Sequence, residues 1–418
     1  MKKRHLTIFL FLILMFFQGT SLYAQTGIIM GYNGTLLKTI NGGINWALKP
    51  TGTTQTLWNQ YFIDNSTGWV AGGTYSSSSV IIKTTDAGET WSIQHSANGY
   101  WLTGVYFINS QTGFSSGTGG TLLKTTNGGS NWFSISTGTN TFFETIKFLD
   151  ANTGYMTGWS GAIYKTTNGG SNWAALTSGT SSNLYTSYFL SASTGFISGG
   201  NGTIRKTTDG GNSWSPVSST ITSQIFSLYF LNSDLAWACG DGQNIIKSTN
   251  GGAAWVSQLS GSSFRLESVH FVDQNTGWVV GGDNGTVILK TTNGGTNWVN
   301  QNTGSFPQVK YNSVFFFNNT IGIEPVNNII PGKYSLRQNY PNPFNPSTEI
   351  EYDILKEGMV NITVYNELGE EIKVLTNETH SAGVYNIKFN AENLSGGIYF
   401  YKLTSAEFTD TKKMILIK

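Results

Sequence analysis

Few residues of this chain have the types and spacing that catalysis or metal binding requires. The histidines, His5, His95, His270 and His380, lie too far apart in sequence to suggest a metal-binding pair. The one cysteine, Cys239, permits neither a disulfide nor a thiolate metal site within one chain. His270 stands where other copies of a recurring strand have tyrosine, and Cys239 aligns with small or apolar residues. We therefore predict that both are packed, and we predict no metal and no cofactor.

Acidic and basic residues are also sparse. Residues 25–323 contain 11 acids, and no spacing among them singles out the two carboxylates, about 5–10 Å apart, that glycoside hydrolysis requires. The whole chain has 24 Lys and Arg against 23 Asp and Glu, so it lacks the basic excess of a nucleic-acid binder. A binding protein is therefore favoured over an enzyme, and an extracellular glycoside hydrolase remains the alternative.

The first 24 residues have the layout of a cleaved signal peptide. Lys2, Lys3 and Arg4 precede an apolar run over residues 6–17, and small and polar residues lead up to Ala24. A twelve-residue run rises only about 18 Å as a helix, which is too short to span a bilayer core. We predict export with cleavage after Ala24 and no transmembrane segment in the mature chain.

The middle of the chain is built from a repeat of about 41 residues, of the form Lys-Thr-Thr-Asn-Gly-Gly-x-Asn-Trp. Its seven tryptophans are Trp46, Trp91, Trp132, Trp173, Trp214, Trp255 and Trp298. A second element, an alternating apolar segment, also recurs seven times, and its last aromatic residues, the anchor phenylalanines, are Phe62, Phe107, Phe148, Phe189, Phe230, Phe271 and Phe316. A fixed period of this length indicates a propeller or a solenoid.

Each repeat is predicted to form four short strands separated by Gly and Asn/Asp turns, which is one blade of a propeller. The fold class is therefore all-β. The first copy lacks its first strand and the last copy, residues 311–317, is only a first strand. We predict a seven-bladed β-propeller over residues 25–323, closed by pairing residues 311–317 with the first copy, because closure removes exposed sheet edges.

The recurring turn resembles the Asp-box, or BNR repeat, of sialidase-type propellers, and residues 84–91 match it fully, with Asp86 at the acidic position. The seven copies resemble still more closely the photosystem II assembly-factor family. The resemblance implies a structural role for Asp86 and for the seven turn tryptophans, Trp46, Trp91, Trp132, Trp173, Trp214, Trp255 and Trp298. A sialidase also needs three arginines, whereas this region has only Arg205 and Arg265. An assembly or chaperone function, as in the photosystem family, is a further alternative.

A second domain is predicted over residues 332–418, after a linker at residues 324–331. Its alternating strands suggest a small Ig-like β-sandwich. Residues 334–346 (YSLRQNYPNPFNP), 396–401 (GGIYFY) and 412–418 (KKMILIK) resemble the type A C-terminal sorting domain of the type IX secretion system. The resemblance implies that this secretion machinery is a partner and that the protein is secreted or displayed on the outer cell surface.

Strand direction places one set of aromatic residues on the face opposite the recurring turns. The candidate ligand-binding residues on this face are Trp58, Trp101, Trp159, Tyr32, Tyr75, Tyr185, Phe226, Glu144, Glu267 and Arg265, with Asp241 and Asp283 nearby. Aromatic platforms with a few polar groups suit sugar rings or an extended peptide. We predict a recognition protein, a monomer, that binds an unidentified glycan or protein ligand through this face.

Overall fold

A computed structural model describes residues 25–74, 77–242, 244–283, 285–301, 307–317, 333–356, 358–380, 383–392, 394–405 and 408–417, and the main chain of residues 325–327; for residues 378 and 379 it describes only the main chain. The described residues form antiparallel strands and three short 3-10 turns, Tyr32–Gly34, Thr118–Gly120 and Trp159–Gly161, and contain no α-helix. None of the described segments is a helix of the length and hydropathy needed to span a membrane. The predicted signal peptide lies outside the described residues.

The region up to Phe317 contains seven four-stranded sheets. The first sheet contains β1 (Gly27–Gly31), β2 (Leu36–Thr39) and β3 (Ala47–Leu48). The second sheet contains β4 (Leu57–Phe62), β5 (Gly68–Thr74), β6 (Ser78–Thr84) and β7 (Ser92–Asn98). The third sheet contains β8 (Leu102–Phe107), β9 (Gly113–Gly117), β10 (Leu122–Thr125) and β11 (Phe133–Ser134). The next two have β12 (Phe143–Phe148), β13 (Gly154–Gly158), β14 (Ala162–Thr166) and β15 (Ala174–Thr177); β16 (Leu184–Phe189), β17 (Gly195–Gly199), β18 (Ile204–Thr207) and β19 (Ser215–Val217). The last strands are β20 (Ile225–Phe230), β21 (Ala236–Gly240), β22 (Asn244–Ser248) and β23 (Val256–Leu259); β24 (Leu266–Phe271), β25 (Gly277–Gly281), β26 (Val287–Thr291) and β27 (Val299–Asn300); and β28 (Tyr311–Phe316).

The last of these strands completes the first sheet. β28 pairs antiparallel with β1, with Gly27 opposite Phe316 and Met30 opposite Ser313, which gives the sheet order β28-β1-β2-β3. The predicted pairing between the two ends of this region is therefore observed. The first strands of successive sheets, β4, β8, β12, β16, β20, β24 and β28, contact one another in that order, and β28 contacts β4 in turn. The seven sheets thus follow one another in a closed cycle.

Local packing explains the Thr-Gly that recurs at the start of six of the seven second strands. In six of the seven sheets the ring of the anchor phenylalanine lies over this glycine, and a Cβ atom built at Gly68 would come within 2.4 Å of the Phe62 ring. Gly113 and Gly277 meet Phe107 and Phe271 in the same way. In the remaining sheet Ala236 stands opposite Phe230. Glycine is favoured at the other six positions because a side chain there would press against the anchor ring.

Most of the repeat lysines, which are the lysines that begin the recurring segment, join neighbouring sheets; those that do are Lys38, Lys83, Lys124, Lys165, Lys247 and Lys290. Lys83 donates a 2.9 Å hydrogen bond to the Gly128 carbonyl in the turn of the next sheet, and Lys290 donates one of 2.7 Å to the Gly42 carbonyl of the first sheet. The ammonium of Lys83 also lies 5.0 Å from the centre of the Trp69 ring. These lysines are therefore engaged within the scaffold.

Two further four-stranded sheets make up the C-terminal region. Their strands are β29 (Pro325–Asn327), β30 (Ser335–Leu336), β31 (Ser347–Ile354), β32 (Gly358–Asn366), β33 (Glu371–His380), β34 (Gly383–Asn390), β35 (Gly397–Ser405) and β36 (Thr409–Leu416). The sheets have the orders β29-β34-β31-β30 and β33-β32-β35-β36 and share one hydrophobic core that includes Ile350, Tyr385, Ile362 and Tyr401. β29 lies within the segment assigned from sequence to a linker and pairs with β34.

Candidate functional site

A cavity of about 640 Å³ is lined by the first strands of all seven sheets. Each strand contributes at two levels. The residue four places before the anchor phenylalanine lies at the first level. This level and the neighbouring side chains of the loops and 3-10 turns form the mouth of the cavity. The residue directly before the anchor phenylalanine lies at the second level, which we call the lower level. Three residues of extended strand separate the levels, about 10 Å.

The structure brings nine of the ten predicted ligand-binding residues to this one cavity. They are Trp58, Trp101, Trp159, Tyr32, Tyr185, Phe226, Glu144, Glu267 and Arg265. The tenth, Tyr75, lies outside the described residues. Trp159 and Tyr32 are exposed, at 39% and 36% of their surface, whereas Trp58 and Trp101 are half-buried and Phe226 is buried. The mouth therefore presents both accessible and enclosed aromatic surface.

Five aromatic rings form a continuous arc around one side of the mouth. The ring centroids of Tyr32 and Trp58 are 5.7 Å apart and those of Trp58 and Trp101 are 4.7 Å apart. Phe142 continues the arc at 5.1 Å from Trp101 and 4.8 Å from Trp159. Neighbouring rings are inclined by 42–67°, so the arc is a curved and uneven apolar surface.

Charged side chains occupy the other side of the mouth. Glu267 pairs with Arg265 at 2.7 Å and also with Lys310. The Arg265 guanidinium lies 3.7 Å from the centre of the Phe226 ring, and the Lys310 ammonium lies 5.7 Å from that of Tyr32. Aromatic faces attract cations, so the contact between Lys310 and Tyr32 links the ion pairs to the aromatic arc.

Glu144 lies between the two sides. Its carboxylate accepts a 2.6 Å hydrogen bond from the Trp159 indole N–H. Burial raises the pKa of Glu144 to about 7 and the charge of Glu267 adds to this, against the lowering effects of the Trp159 hydrogen bond and the Arg265 charge. Glu144 therefore changes its charge near neutral pH, inside the ligand-accessible cavity.

Most of the lower level is aromatic. Its seven residues are Tyr61, Tyr106, Lys147, Tyr188, Tyr229, His270 and Phe315. The rings of Tyr229 and His270 are 4.8 Å apart and those of His270 and Phe315 are 5.3 Å apart. Burial lowers the pKa of His270 to about 4, so its imidazole is neutral at pH 7. The prediction that His270 is packed holds, although it also lines the cavity.

Sequence reasoning missed Phe142, Lys310 and Lys147. Phe142 and Lys310 stand directly before their first strands, the position that Trp101 and Arg265 occupy in other repeats. Aligning that column would have identified both residues. Lys147 stands directly before its anchor phenylalanine, a position that holds an aromatic residue or histidine in every other repeat. Aligning the repeats would have shown this exception as well. Cys239 is buried in β21, as predicted, and burial raises the pKa of its thiol.

The seven turn tryptophans lie away from the mouth and pack on the anchor phenylalanines of their own sheets. The Phe62–Trp91, Phe107–Trp132 and Phe271–Trp298 pairs are edge-to-face at 5.8–6.2 Å. At the start of the fully matching turn, Asp86 Oδ1 accepts hydrogen bonds from the Thr84 hydroxyl at 2.8 Å and the Thr90 N–H at 2.9 Å. Three or more potential metal-ligating side chains do not cluster anywhere in the described part of the chain.

Comparisons with known proteins identify two regions. The model of the family described as photosynthesis system II assembly factor YCF48 matches residues 50–187 and 212–305. The model described as secretion system C-terminal sorting domain matches residues 338–418. No curated protein matches the sequence.

Solved structures show the fold. YCF48 bound to D1 peptide is 22% identical with a TM-score of 0.50, over 60% of this chain and 82% of that one. YCF48 from Cyanidioschyzon merolae is 20% identical with a TM-score of 0.51, over 82% and 98%. The WD40 beta propeller domain of Doa1 is 12% identical with a TM-score of 0.51, over 63% and 88%. These likenesses show that the chain has a propeller fold.

Proposed function

This chain belongs to the family of the photosynthesis system II assembly factor YCF48, and we propose that it is an exported recognition protein that binds an extended polypeptide segment at the mouth of its cavity. Its C-terminal sorting domain makes it a surface or secreted protein of the type IX secretion system and implies an interaction with that machinery. We further propose that the seven sheets are the blades of a seven-bladed propeller, that the turns are Asp-boxes, and that the C-terminal sheets form an Ig-like sandwich.

The observation that carries this proposal is the arc from Tyr32 to Trp159 facing an ion-pair group across one cavity. Because neighbouring rings are inclined to one another, the arc offers pockets for side chains of different shapes and lacks the flat platform on which successive sugar rings stack. Glu144, Arg265 and Tyr185 supply polar groups for a peptide backbone or its side chains. The solved YCF48 complex with D1 peptide supports a peptide as the class of ligand.

The test is a screen of the purified protein against peptide and glycan arrays, followed by titration of the best peptide. We expect peptides to bind, and we expect Trp58→Ala and Trp159→Ala each to weaken binding about two- to tenfold, the usual contribution of one aromatic contact. Phe133→Ala, which removes an exposed ring from β11, serves as the matched control and should bind as the wild type does. Equal weakening by all three variants, or binding of glycans alone, would overturn the proposal.

A glycoside hydrolase is the second candidate because two carboxylates in one cavity differ in their environments. Glu144 is protonated for part of the time at pH 7, whereas Glu267 is paired with two cations. A protonated acid beside an ionised carboxylate is the arrangement that glycosidases use. Release of nitrophenol from aryl glycosides by the wild type, and its loss in Glu144→Gln, would favour this function over peptide recognition.

A further inference from the structure

Lys147 is the one cation at the lower level of the cavity. It belongs to β12, three residues after Glu144, and lies between the Tyr106 and Tyr188 positions of the neighbouring strands. Its ammonium is 5.1 Å from the centre of the Tyr188 ring. His270, at the same level, is neutral at pH 7 and adds no charge.

Most other lysines of the first seven sheets contact a carbonyl or carboxylate oxygen, whereas Lys206, like Lys147, lies against an aromatic ring. The repeat lysines Lys83 and Lys290 donate to glycine carbonyls of the next sheet, and Lys310 pairs with Glu267. Among the described residues, no carboxylate lies within ion-pairing distance of the Lys147 ammonium, and burial lowers its pKa to about 8. An enclosed ammonium without a counter-ion is costly, and an anion that enters the cavity removes that cost.

We propose that Lys147 binds the C-terminal carboxylate of a polypeptide whose last residues lie along the mouth. This inference rests on the proposed function, because it requires a peptide at the mouth. A carboxylate matches one lysine in charge, whereas a phosphate dianion would bring a second negative charge into an enclosed site that offers one cation. The flanking Tyr106 and Tyr188 surround the bound group with aromatic surface.

The depth of the cavity favours a chain end over an internal segment. About three extended residues span the distance from the Glu144 level to the Lys147 level. The final residues can therefore contact the aromatic arc while the terminal carboxylate reaches Lys147. An internal segment would have to continue past the large side chains of the lower level or turn back within the cavity.

The experiment compares two peptide libraries of the same sequences, one with free C-terminal carboxylates and one amidated, attached through their N-termini. For peptides that bind the wild type, we expect the free acid to bind at least tenfold more tightly than the amide. Lys147→Met should abolish that difference, so that the free acid and the amide bind it equally, and Lys147→Arg should retain part of the difference. Free acetate and glucuronate, tested as competitors, distinguish a peptide terminus from a small carboxylic acid.

The outcomes separate this inference from the proposed function. Equal binding of acids and amides to the wild type would overturn the role of Lys147 and leave peptide recognition in place. Failure of both libraries would overturn both proposals. Binding of glucuronate in preference to every peptide would overturn the peptide terminus as the source of the carboxylate. The comparison of acid and amide needs only the wild type, so equal binding overturns the proposal even if a Lys147 variant does not fold.

Discussion

Trp46 and Phe316, from opposite ends of the first seven-sheet region, are in edge-to-face contact with ring centroids 5.8 Å apart and an interplanar angle of 78°. The same contact joins anchor and tryptophan within the other sheets, so the sheet that closes the cycle has the packing of a sheet formed from continuous chain. Phe316 is fully buried and also stacks on Trp278 of the preceding sheet at 3.5 Å. One side chain thus contributes both to the first sheet and to its junction with the last.

The first prediction concerns this closure. Phe316→Ala should lower the free energy of unfolding by about 3–5 kcal/mol, because it leaves a cavity beneath Trp46 and Trp278. The measurement is equilibrium denaturation. Phe133→Ala, the same change at an exposed position, should cost less than about 0.5 kcal/mol. Similar losses in the two variants would show that the last strand is not needed to hold the first sheet.

The second prediction concerns the turn that contains Asp86. Its pKa is lowered to about 2, because hydrogen bonds from Thr90 and Thr84 outweigh a desolvation effect that would raise it. Asn127 accepts the equivalent bonds from Thr125 and Asn131 in the next repeat. Asp86→Asn should therefore change stability by less than about 0.5 kcal/mol, and Asp86→Ala should cost about 1 kcal/mol.

The pH dependence of these variants provides the check. A carboxylate with a lowered pKa stabilises the folded state above its unfolded pKa and loses this effect as the pH falls towards the folded value. Any advantage of the wild type over Asp86→Asn should therefore shrink between pH 4 and pH 2. An advantage that grows with acidification would contradict the assignment of the hydrogen bonds to an ionised Asp86.

The sequence was sufficient to predict the sheets because packing repeats with the period of the sequence. The anchor phenylalanine and the turn tryptophan recur together seven times, with a glycine beneath the phenylalanine in six copies, so the repeat indicates seven equivalent sheets. The mouth could be predicted in part, since strand direction placed Trp58, Trp101 and Trp159 at the same end. Alignment of the repeats shows that Lys147 replaces an aromatic residue, but the lack of a nearby carboxylate among the described residues depends on contacts between distant repeats and is visible only in the structure.

The third prediction concerns Glu144. Its folded pKa, about 7, is above the ordinary value, so ionisation is penalised in the folded state. The wild type should lose stability relative to Glu144→Gln as the pH rises from about 4.5 to 7, by at most about 3 kcal/mol, and the difference should then remain constant. Glutamine keeps an oxygen that accepts the Trp159 N–H bond.

Denaturation of the wild type and Glu144→Gln across this pH range tests the assignment. Taking the difference between the two proteins removes the contributions of the other titrating groups. A difference that does not change with pH would mean that Glu144 titrates as an exposed carboxyl group. Trp159→Phe should raise the pKa of Glu144 further, because it removes the hydrogen bond that favours the ionised form.

The fourth prediction concerns display on the cell. β28 runs from the mouth, where Lys310 pairs with Glu267, to the turn side, where Phe316 meets Trp46. The chain therefore leaves this region opposite the mouth, and we expect a protein attached through its C-terminal domain to present the mouth outward. Ser160→Cys, at an exposed position beside Trp159, should react with a membrane-impermeant thiol reagent on whole cells.

The wild type supplies the blank for this labelling, because its one cysteine, Cys239, is buried and its thiol pKa is raised. Labelling of Ser160→Cys only after the cells are broken would contradict outward display of the mouth.

The location of a bound peptide tests the central claim most directly. A crystal structure of the protein with the tightest peptide from the array should show the peptide along the arc from Tyr32 to Trp159, with contacts to Glu144 or Arg265. A peptide bound on the outer strands of the sheets or at the recurring turns, with the mouth empty, would contradict the account.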